Sequence, residues 1–235
     1  MNVIENLDFS TASADLLPIL VEGMWIAIKA TISGFALAIV LGVFIALGRI
    51  SKSKLLNGIL VFFLEIVRGT PLLVQLVYMY YVVPLLIELF VQVWNPEFQF
   101  TISPFMAGML GLGINYGSYL SEVIRSSILS VDKGQNEAAL ALGYTKRQSM
   151  WSIIMPQATR SSIPVLGNYL VMMIKDTSLL AFITVNELLL RTQSYASQTF
   201  LTIESYTLLA LAYLIISLPM AQMIRLLERR LLKHA

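Results

Sequence analysis

Long stretches without charged residues recur along this chain and predict how it folds. Four of them contain no Asp, Glu, Lys or Arg: residues 30–48, 69–87, 98–121 and 205–224. A helix needs about 20 apolar residues to cross a bilayer, so each stretch predicts a transmembrane helix. A less regular stretch, residues 161–186, is uncharged except for Lys175 and Asp176. It can cross only with this charged pair inside the membrane or with a break in the helix there.

The pattern therefore predicts an all-α membrane protein with about five transmembrane helices. Composition agrees, because 57% of the residues are hydrophobic and 13% are charged, whereas soluble domains have about 25% charged residues. Residues 1–235 are expected to form one transmembrane domain without a soluble domain or a repeat. Residues 1–20 are expected to be a short external lead-in.

The basic residues predict the orientation of the helices. Twelve of the 16 Lys and Arg residues follow the first span, surround the loop after the third, or follow the last. The positive-inside rule makes that side cytoplasmic. An odd number of spans then places the N-terminus outside and the C-terminus in the cytoplasm. The acidic first stretch, which has no Lys or Arg before Lys29, agrees with this orientation.

A polar segment, residues 130–156, separates the third and fourth spans and predicts two short helices. Helix-forming residues run from Glu137 to Leu142, and Gly143 follows where a helix end favours positive φ. Thr145 and Gln148 form a capping-box pattern, so a second helix is expected to start there and run toward Pro156.

This segment resembles the cytoplasmic loop of permease subunits of ATP-binding-cassette (ABC) importers. The family pattern is EAA, three residues, Gly, nine residues, Ile, one residue, Leu and Pro. Here Met155 stands where the family has Leu, a volume-conserving change. The resemblance implies a type I ABC importer fold and a helix that docks on a separate ATPase subunit. The implied coupling residues are Glu137, Ala138, Ala139, Leu142 and Gly143.

A second informative segment, residues 65–75, predicts a helix break at the edge of the second span. Gly69 and Pro71 interrupt the helix, and Thr70 is expected to cap a new helix that has Pro71 at its first position. The N-terminus of such a half-helix favours an anion, and transporters use interrupted helices near substrate. A packing kink with an ion pair between Glu65 and Arg68 is the alternative.

The strings RGTPLLVQL, YLSEVIRS, GQNEAALALG and KDTSL together resemble the polar amino acid permeases of these importers, the histidine, arginine and glutamine uptake type. The resemblance covers the chain from about Val21 onward. It implies a multi-pass protein of the bacterial cytoplasmic membrane. The implied partners are two ATPase subunits, a second permease subunit and an external substrate-binding protein.

The expected substrate site lies between the helix break and the broken fourth span. The carboxylate of an amino acid would face the break, and Glu122 or Asp176 would accept from its amino group. Lys175 complicates this, because it can neutralise Asp176, and Glu122 can pair with Arg125 instead. The candidate site residues are Gly69, Thr70, Gln75, Asn115, Tyr119, Glu122, Asp176, Thr177 and Ser178.

The composition excludes several kinds of chemistry. Cysteine is absent and His234 is the only histidine, so thiolate metal sites and Ser-His catalysis lack their residues. No Walker-type glycine loop is present, so ATP and magnesium are expected on the partner ATPase. No catalytic or metal-binding residue and no nucleic-acid partner is therefore expected. An ion-coupled secondary transporter or channel is the alternative from another class, and a membrane scaffold is a further one.

The orientation predicts how cysteine reporters will label. A cysteine at Thr11 should react with an impermeant reagent on intact cells, whereas one at Lys146 should react only after permeabilisation. The native chain has no cysteine to interfere. The reverse labelling pattern would contradict the predicted orientation.

Overall fold

The computed structural model describes residues 7–232, and this part of the chain is helical almost throughout. Its ten α-helices are α1 (Phe9–Ile50), α2 (Lys54–Gly69), α3 (Leu72–Val77), α4 (Val83–Gln92), α5 (Pro104–Ser130), α6 (Lys133–Ala141), α7 (Lys146–Ser149), α8 (Met155–Asp176), α9 (Leu188–Thr199) and α10 (Thr202–Leu232). Two π-helical turns, Tyr78–Val82 and Met150–Ile154, join α3 to α4 and α7 to α8. A 3-10 segment, Thr177–Ile183, extends α8.

Helix α1 begins earlier than the sequence predicts. The side chain of Asp8 caps it by accepting a hydrogen bond from the backbone N–H of Thr11, 2.9 Å away. Residues 9–20 therefore form the first turns of α1, and Leu16 and Leu20 are buried there. These residues are continuous with α1, because the apolar face continues ahead of the uncharged stretch. Their expected position outside the membrane stays a prediction. Residues 1–6 of the predicted lead-in lie outside the described residues.

Within residues 7–232, four helical runs are long and apolar enough to cross a membrane: Phe9–Ile50, Leu72–Gln92, Lys146–Ile183 and Thr202–Leu231. They correspond to the first, second, fourth and last predicted spans. The third predicted span corresponds to α5, which has 27 residues and so a length of about 40 Å. Its many Gly, Ser and Asn residues make it less apolar than the other four. Helix α5 lies inside the bundle, where Leu112 and Leu120 are fully buried.

Glycine residues allow α1 and α5 to pack closely together. A Cβ atom added at Gly117 would lie 3.0 Å from Leu41 Cβ and 3.3 Å from the backbone oxygen of Ala38. One added at Gly42 would lie 3.1 Å from Leu120 Cβ. Small residues bring helix backbones together in membranes, where packing rather than the hydrophobic effect drives association. Gly117 of α5 and Gly42 of α1 therefore serve the close packing of these two helices.

Proline residues coincide with the irregular turns of the long helical runs. The two π-helical turns directly precede α4 and α8, which have Pro84 and Pro156 in their first turns. A wider turn accommodates a residue that has no N–H and whose ring clashes with the preceding carbonyl. The helical run that begins at Lys146 therefore continues past Pro156, whereas the sequence predicted that it would end there.

The fourth predicted span is broken at the place that its charged pair indicated. Helix α8 ends at Asp176, and the 3-10 segment begins at Thr177. That segment ends at Thr184, which has a φ of 61°, so the chain turns sharply before α9. Of the two alternatives for residues 161–186, the structure has a change from α-helix to 3-10 helix directly after the charged pair.

The contact between α1 and α5 predicts a strong effect of one added methyl group. Gly117→Ala should destabilise the purified subunit by about 1–3 kcal/mol, because the backbone of α1 must move away. Thermal unfolding in detergent measures this. Gly58→Ala is the matched control, since nothing lies within 4 Å of a Cβ there, and helix propensity alone should leave its stability equal or higher. Equal unfolding temperatures for the two variants would contradict the close contact.

Candidate functional site

A cavity of about 520 Å³ lies where the break between α2 and α3 faces α5 and α8. Backbone and side chains from both sides of the break form one wall, and polar aromatic residues of α5 and α8 form the other. Its lining residues are Arg68, Gly69, Thr70, Pro71, Leu72, Asn115, Tyr116, Tyr119, Tyr169, Met172 and Asp176. The predicted location between the break and the fourth span thus corresponds to a cavity.

Arg68 supplies the positive charge in the cavity wall. Its Nη2 donates to the backbone oxygen of Ser118, and its guanidinium lies over the ring of Tyr119, 5.5 Å from the centroid. Its Nε is buried without a hydrogen-bond partner. A guanidinium has five N–H donors, so Arg68 retains unused donor capacity. The structure does not contain the alternative ion pair between Glu65 and Arg68. Glu65 is exposed and takes part in none of the ion pairs among the described residues.

Asp176 supplies the negative charge at the last residue of α8. Its Oδ2 accepts a hydrogen bond of 2.6 Å from the hydroxyl of Tyr116. A carboxylate accepts up to about four hydrogen bonds, so this group also has unused capacity. Lys175 is exposed and does not line the cavity. Neutralisation of Asp176 by its neighbour is therefore not observed.

Arg68 and Asp176 line the same cavity but do not pair with each other. The ion pairs among residues 7–232 are Arg49 with Glu122, Arg125 with Glu122, and Arg191 with Glu22. Opposite charges in an apolar environment normally pair, because an isolated charge is costly there. The guanidinium of Arg68 and the carboxylate of Asp176 are separate and each has unused hydrogen-bonding capacity. A zwitterion in the cavity could bind both, with its anionic group at Arg68 and its cationic group at Asp176.

Gln75 holds the break in place. Its Nε2 donates to the backbone oxygen of Val67 at 2.6 Å and to the Oγ1 of Thr70 at 2.8 Å. Its Oε1 accepts from Nδ2 of Asn115, 3.0 Å away on α5. The side chain therefore links the end of α2 to α5. Gln75 does not line the cavity and its polar atoms are bonded within the protein, while its predicted role as a substrate contact stays a prediction.

Thr70 does not cap the new helix as predicted. Its hydroxyl donates back to the oxygen of Ile66 at 3.0 Å, so Thr70 belongs to the end of α2. Pro71 is the capping residue, and α3 starts at Leu72. The predicted break is confirmed, but its register is shifted by one residue, because the Thr70 hydroxyl satisfies a carbonyl of the helix that ends.

Three other predicted site residues lie away from the cavity lining. Glu122 pairs with Arg125 on its own helix and with Arg49 of α1, 3.4 Å away. Thr177 is fully buried and its hydroxyl donates to the oxygen of Ile174. Ser178 follows it in the 3-10 segment and does not line the cavity. Of the predicted set, Gly69, Thr70, Asn115, Tyr119 and Asp176 do line it.

Sequence reasoning did not assign Arg68, Tyr116 and Tyr169 to the site. Arg68 carried a signal, since it is a cation immediately before a helix break in an apolar region. Tyr169 carried none, because an aromatic residue in an apolar helix is usually a packing residue. In the structure its ring stacks at 6.1 Å from that of Tyr119 and meets that of Tyr116 edge-on at 6.2 Å.

The second candidate site is the polar segment between α5 and α8. Helix α6 ends at Ala141 with Leu142 as its cap residue. Gly143 follows with a φ of 87°, and a Cβ there would meet nothing within 4 Å. Thr145 and Gln148 form the predicted capping box at the start of α7. Glu137, Ala138, Leu142 and Gly143 are exposed, with Leu142 at 78%. Ala139 is 1% exposed and packs inside, and its predicted part in the coupling segment stays a prediction.

Comparison with known proteins identifies the family. Residues 38–233 match the family described as the inner membrane component of binding-protein-dependent transport systems. The chain belongs to this family. It is therefore a multi-pass inner-membrane transport component, and the matched residues include both candidate sites.

Two relatives of this family member are named permeases. The glutamine transport system permease protein GlnP of Escherichia coli (strain K12) is 34% identical over 215 residues, which cover 92% of this chain and 94% of the relative. The L-cystine transport system permease protein TcyB of Bacillus subtilis (strain 168) is 37% identical over 215 residues, with coverage of 91% and 87%. These relatives support an ABC permease and give no support to an ion-coupled transporter.

Solved structures show the same fold. One, a crystal structure of an amino acid ABC transporter with histidines, has a TM-score of 0.82 and 32% identity, and covers 96% of this chain and 99% of that one. Another, an inward-facing structure of the MetNI methionine ABC transporter, has a TM-score of 0.65 at 16% identity. The predicted type I ABC importer fold is confirmed by these likenesses.

Proposed function

We propose that this chain is the transmembrane permease subunit of an ATP-driven importer that moves a polar or basic amino acid through the cavity by alternating access. The observation that carries the proposal is that Arg68 and Asp176 line the same cavity without pairing with each other. The relatives named for glutamine and L-cystine support the same substrate class. Every free α-amino acid near neutral pH has an α-carboxylate and an α-ammonium group to match these two charges.

The substrate carboxylate binds at Arg68 and the substrate ammonium at Asp176. A planar guanidinium donates two parallel hydrogen bonds to a carboxylate, and charge-assisted bonds of this kind are about twice as strong as neutral ones. Arg68 directly precedes the break, so the carboxylate faces the break as expected from the sequence. The ammonium has three donors and shares Asp176 with the hydroxyl of Tyr116.

The exposed residues of the polar segment dock on a separate ATPase subunit. Glu137, Ala138, Leu142 and Gly143 are available for this contact. ATP and magnesium bind to that partner, whose closure moves the docked helices and turns the cavity from one side of the membrane to the other. Hydrolysis resets the assembly. This chain supplies the path and the docking surface, with residues 130–156 in the cytoplasm.

Two further partners complete the assembly. A second permease subunit, either another copy of this chain or a sister chain, forms the rest of the membrane domain. An external binding protein delivers the amino acid. The description of the family as a component of binding-protein-dependent systems supports the external binding protein. The resemblance to ABC importers supports the second permease subunit.

Removal of either cavity charge should weaken substrate binding. In the reconstituted assembly, Arg68→Gln and Asp176→Asn should each raise the amino acid concentration for half-maximal stimulation of ATPase activity by about tenfold or more. Loss of a hydrogen bond to a charged group costs about 1.5–3 kcal/mol. Basal hydrolysis should persist, because the ATPase site lies in the partner.

Lys175→Gln is the matched control for these variants. It removes a charge beside Asp176 from an exposed residue that does not line the cavity. Its concentration dependence should equal that of the wild type. Unchanged values in both cavity variants would refute the proposed site.

Replacement of Gly143 should uncouple the permease from its ATPase. Gly143→Val should disrupt the end of α6, because a β-branched residue tolerates a φ of 87° poorly. Substrate-stimulated ATPase activity and co-purification of the ATPase should fall while the subunit is still inserted. Asn tolerates positive φ better, so Gly143→Asn should retain most of the coupling. Full coupling in the valine variant would argue against docking through α6.

A further inference from the structure

We infer that the cavity selects amino acids whose side chain is uncharged and donates a hydrogen bond, and that it discriminates against cationic and anionic side chains. This inference rests on the proposed function and narrows its substrate class. Among the residues that line the cavity, the charged groups are one cation, Arg68, and one anion, Asp176. The carboxylate and the ammonium of the substrate use both of them.

A charged side chain on the substrate would be a third charge, and the cavity has no further oppositely charged residue to pair with it. Glu122, which the sequence offered as a second carboxylate, does not line the cavity and is already shared by Arg49 and Arg125. That cluster contains two guanidinium groups for one carboxylate, so it disfavours another cation nearby. Glu65 and Lys175 are exposed and do not line the cavity either. A charge without a partner in a poorly solvated site is costly, so charged side chains are disfavoured.

The orientation of two amide groups gives the cavity a hydrogen-bond acceptor. Three oxygen atoms surround Nε2 of Gln75: the backbone oxygens of Val67 and Thr70 and the hydroxyl of Thr70. The amide nitrogen must face these acceptors, so Oε1 of Gln75 faces α5. Asn115 must then present its own nitrogen to that oxygen, 3.0 Å away.

The carbonyl oxygen of Asn115 is left without a donor. Within the described residues no hydrogen bond reaches its Oδ1, although Asn115 is only 6% exposed and lines the cavity. An acceptor of this kind favours a substrate donor, such as the NH2 group of a carboxamide, and repels a carboxylate. A site built to hydrogen-bond one group rejects analogues that lack it. Gln75 acts as the positioning residue for this acceptor.

Tyrosine rings provide the remaining wall for a neutral side chain. The rings of Tyr119 and Tyr169 stack at 6.1 Å with planes 24° apart. Their faces are apolar and Tyr119 already covers Arg68. A second cation would compete with Arg68 for the face of that ring. The aliphatic part of a carboxamide side chain fits this surface without a charge.

The test is equilibrium binding to the permease–ATPase complex in nanodiscs without the external binding protein, so that the cavity alone selects. The radiolabelled probes are L-glutamine, L-glutamate, which is nearly isosteric, and L-arginine. L-Glutamine should bind at least about tenfold more tightly than either of the others, because a charged side chain would lie in the cavity without an oppositely charged partner. Equal or tighter binding of L-arginine or L-glutamate would overturn the inference.

An added carboxylate should reverse the preference against cations. Met172 is 49% exposed and lines the cavity, and Met172→Glu should raise the affinity for L-arginine relative to L-glutamine by about tenfold. Met172→Gln has the same shape without the charge and should leave the ratio unchanged. The same ratio in both variants would overturn the argument from charge.

The cavity variants separate failure of the inference from failure of the proposed site. Arg68→Gln and Asp176→Asn should weaken binding of all three probes, because every amino acid has both α-groups. If they do so while L-arginine still binds best, the proposed site stands and the inference about the side chain is overturned. If they leave all binding unchanged, both fail.

Discussion

The fold around the cavity depends on satisfying the backbone where a helix is interrupted in an apolar environment. The break at Gly69 to Pro71 leaves carbonyl groups at the end of α2 without helical partners, and each would cost about 1–3 kcal/mol if buried alone. The amide of Gln75 donates to the oxygens of Val67 and Thr70, and Thr70 donates to that of Ile66. These bonds allow the chain to turn there and leave Arg68 at the cavity wall.

The same amide connects the break to the centre of the bundle. Asn115 lies on α5, which the glycines of α5 hold close against α1. Because glycine permits the two backbones to approach, polar residues of α5 reach the break while leucines on neighbouring turns fill the core. Helix α5 thus lines the polar cavity with one face and packs into the apolar core with another.

A nearly continuous helical run joins the two candidate sites. Lys146–Ile183 contains α7, a π-helical turn, α8 and a 3-10 segment. Its first residues follow the capping box at Thr145, and Tyr169, Met172 and Asp176 line the cavity near its other end. Any movement of the polar segment, residues 130–156, therefore has a direct structural connection to the cavity wall, and the π-helical turn before Pro156 is the irregular point of this connection.

Residues close together in the sequence determined several features of the local backbone structure. The uncharged stretches, the break at Gly69 to Pro71, the positive φ of Gly143 and the capping box at Thr145 each depend on neighbouring residues. The cavity required the tertiary structure, because it forms between residues 68–72 and residues 115–176. Only packing decided that Glu122 pairs with Arg49, that Ala139 faces inward, and that Arg68 and Asp176 remain apart. These outcomes depend on distances between helices, which the order of residues along one helix does not contain.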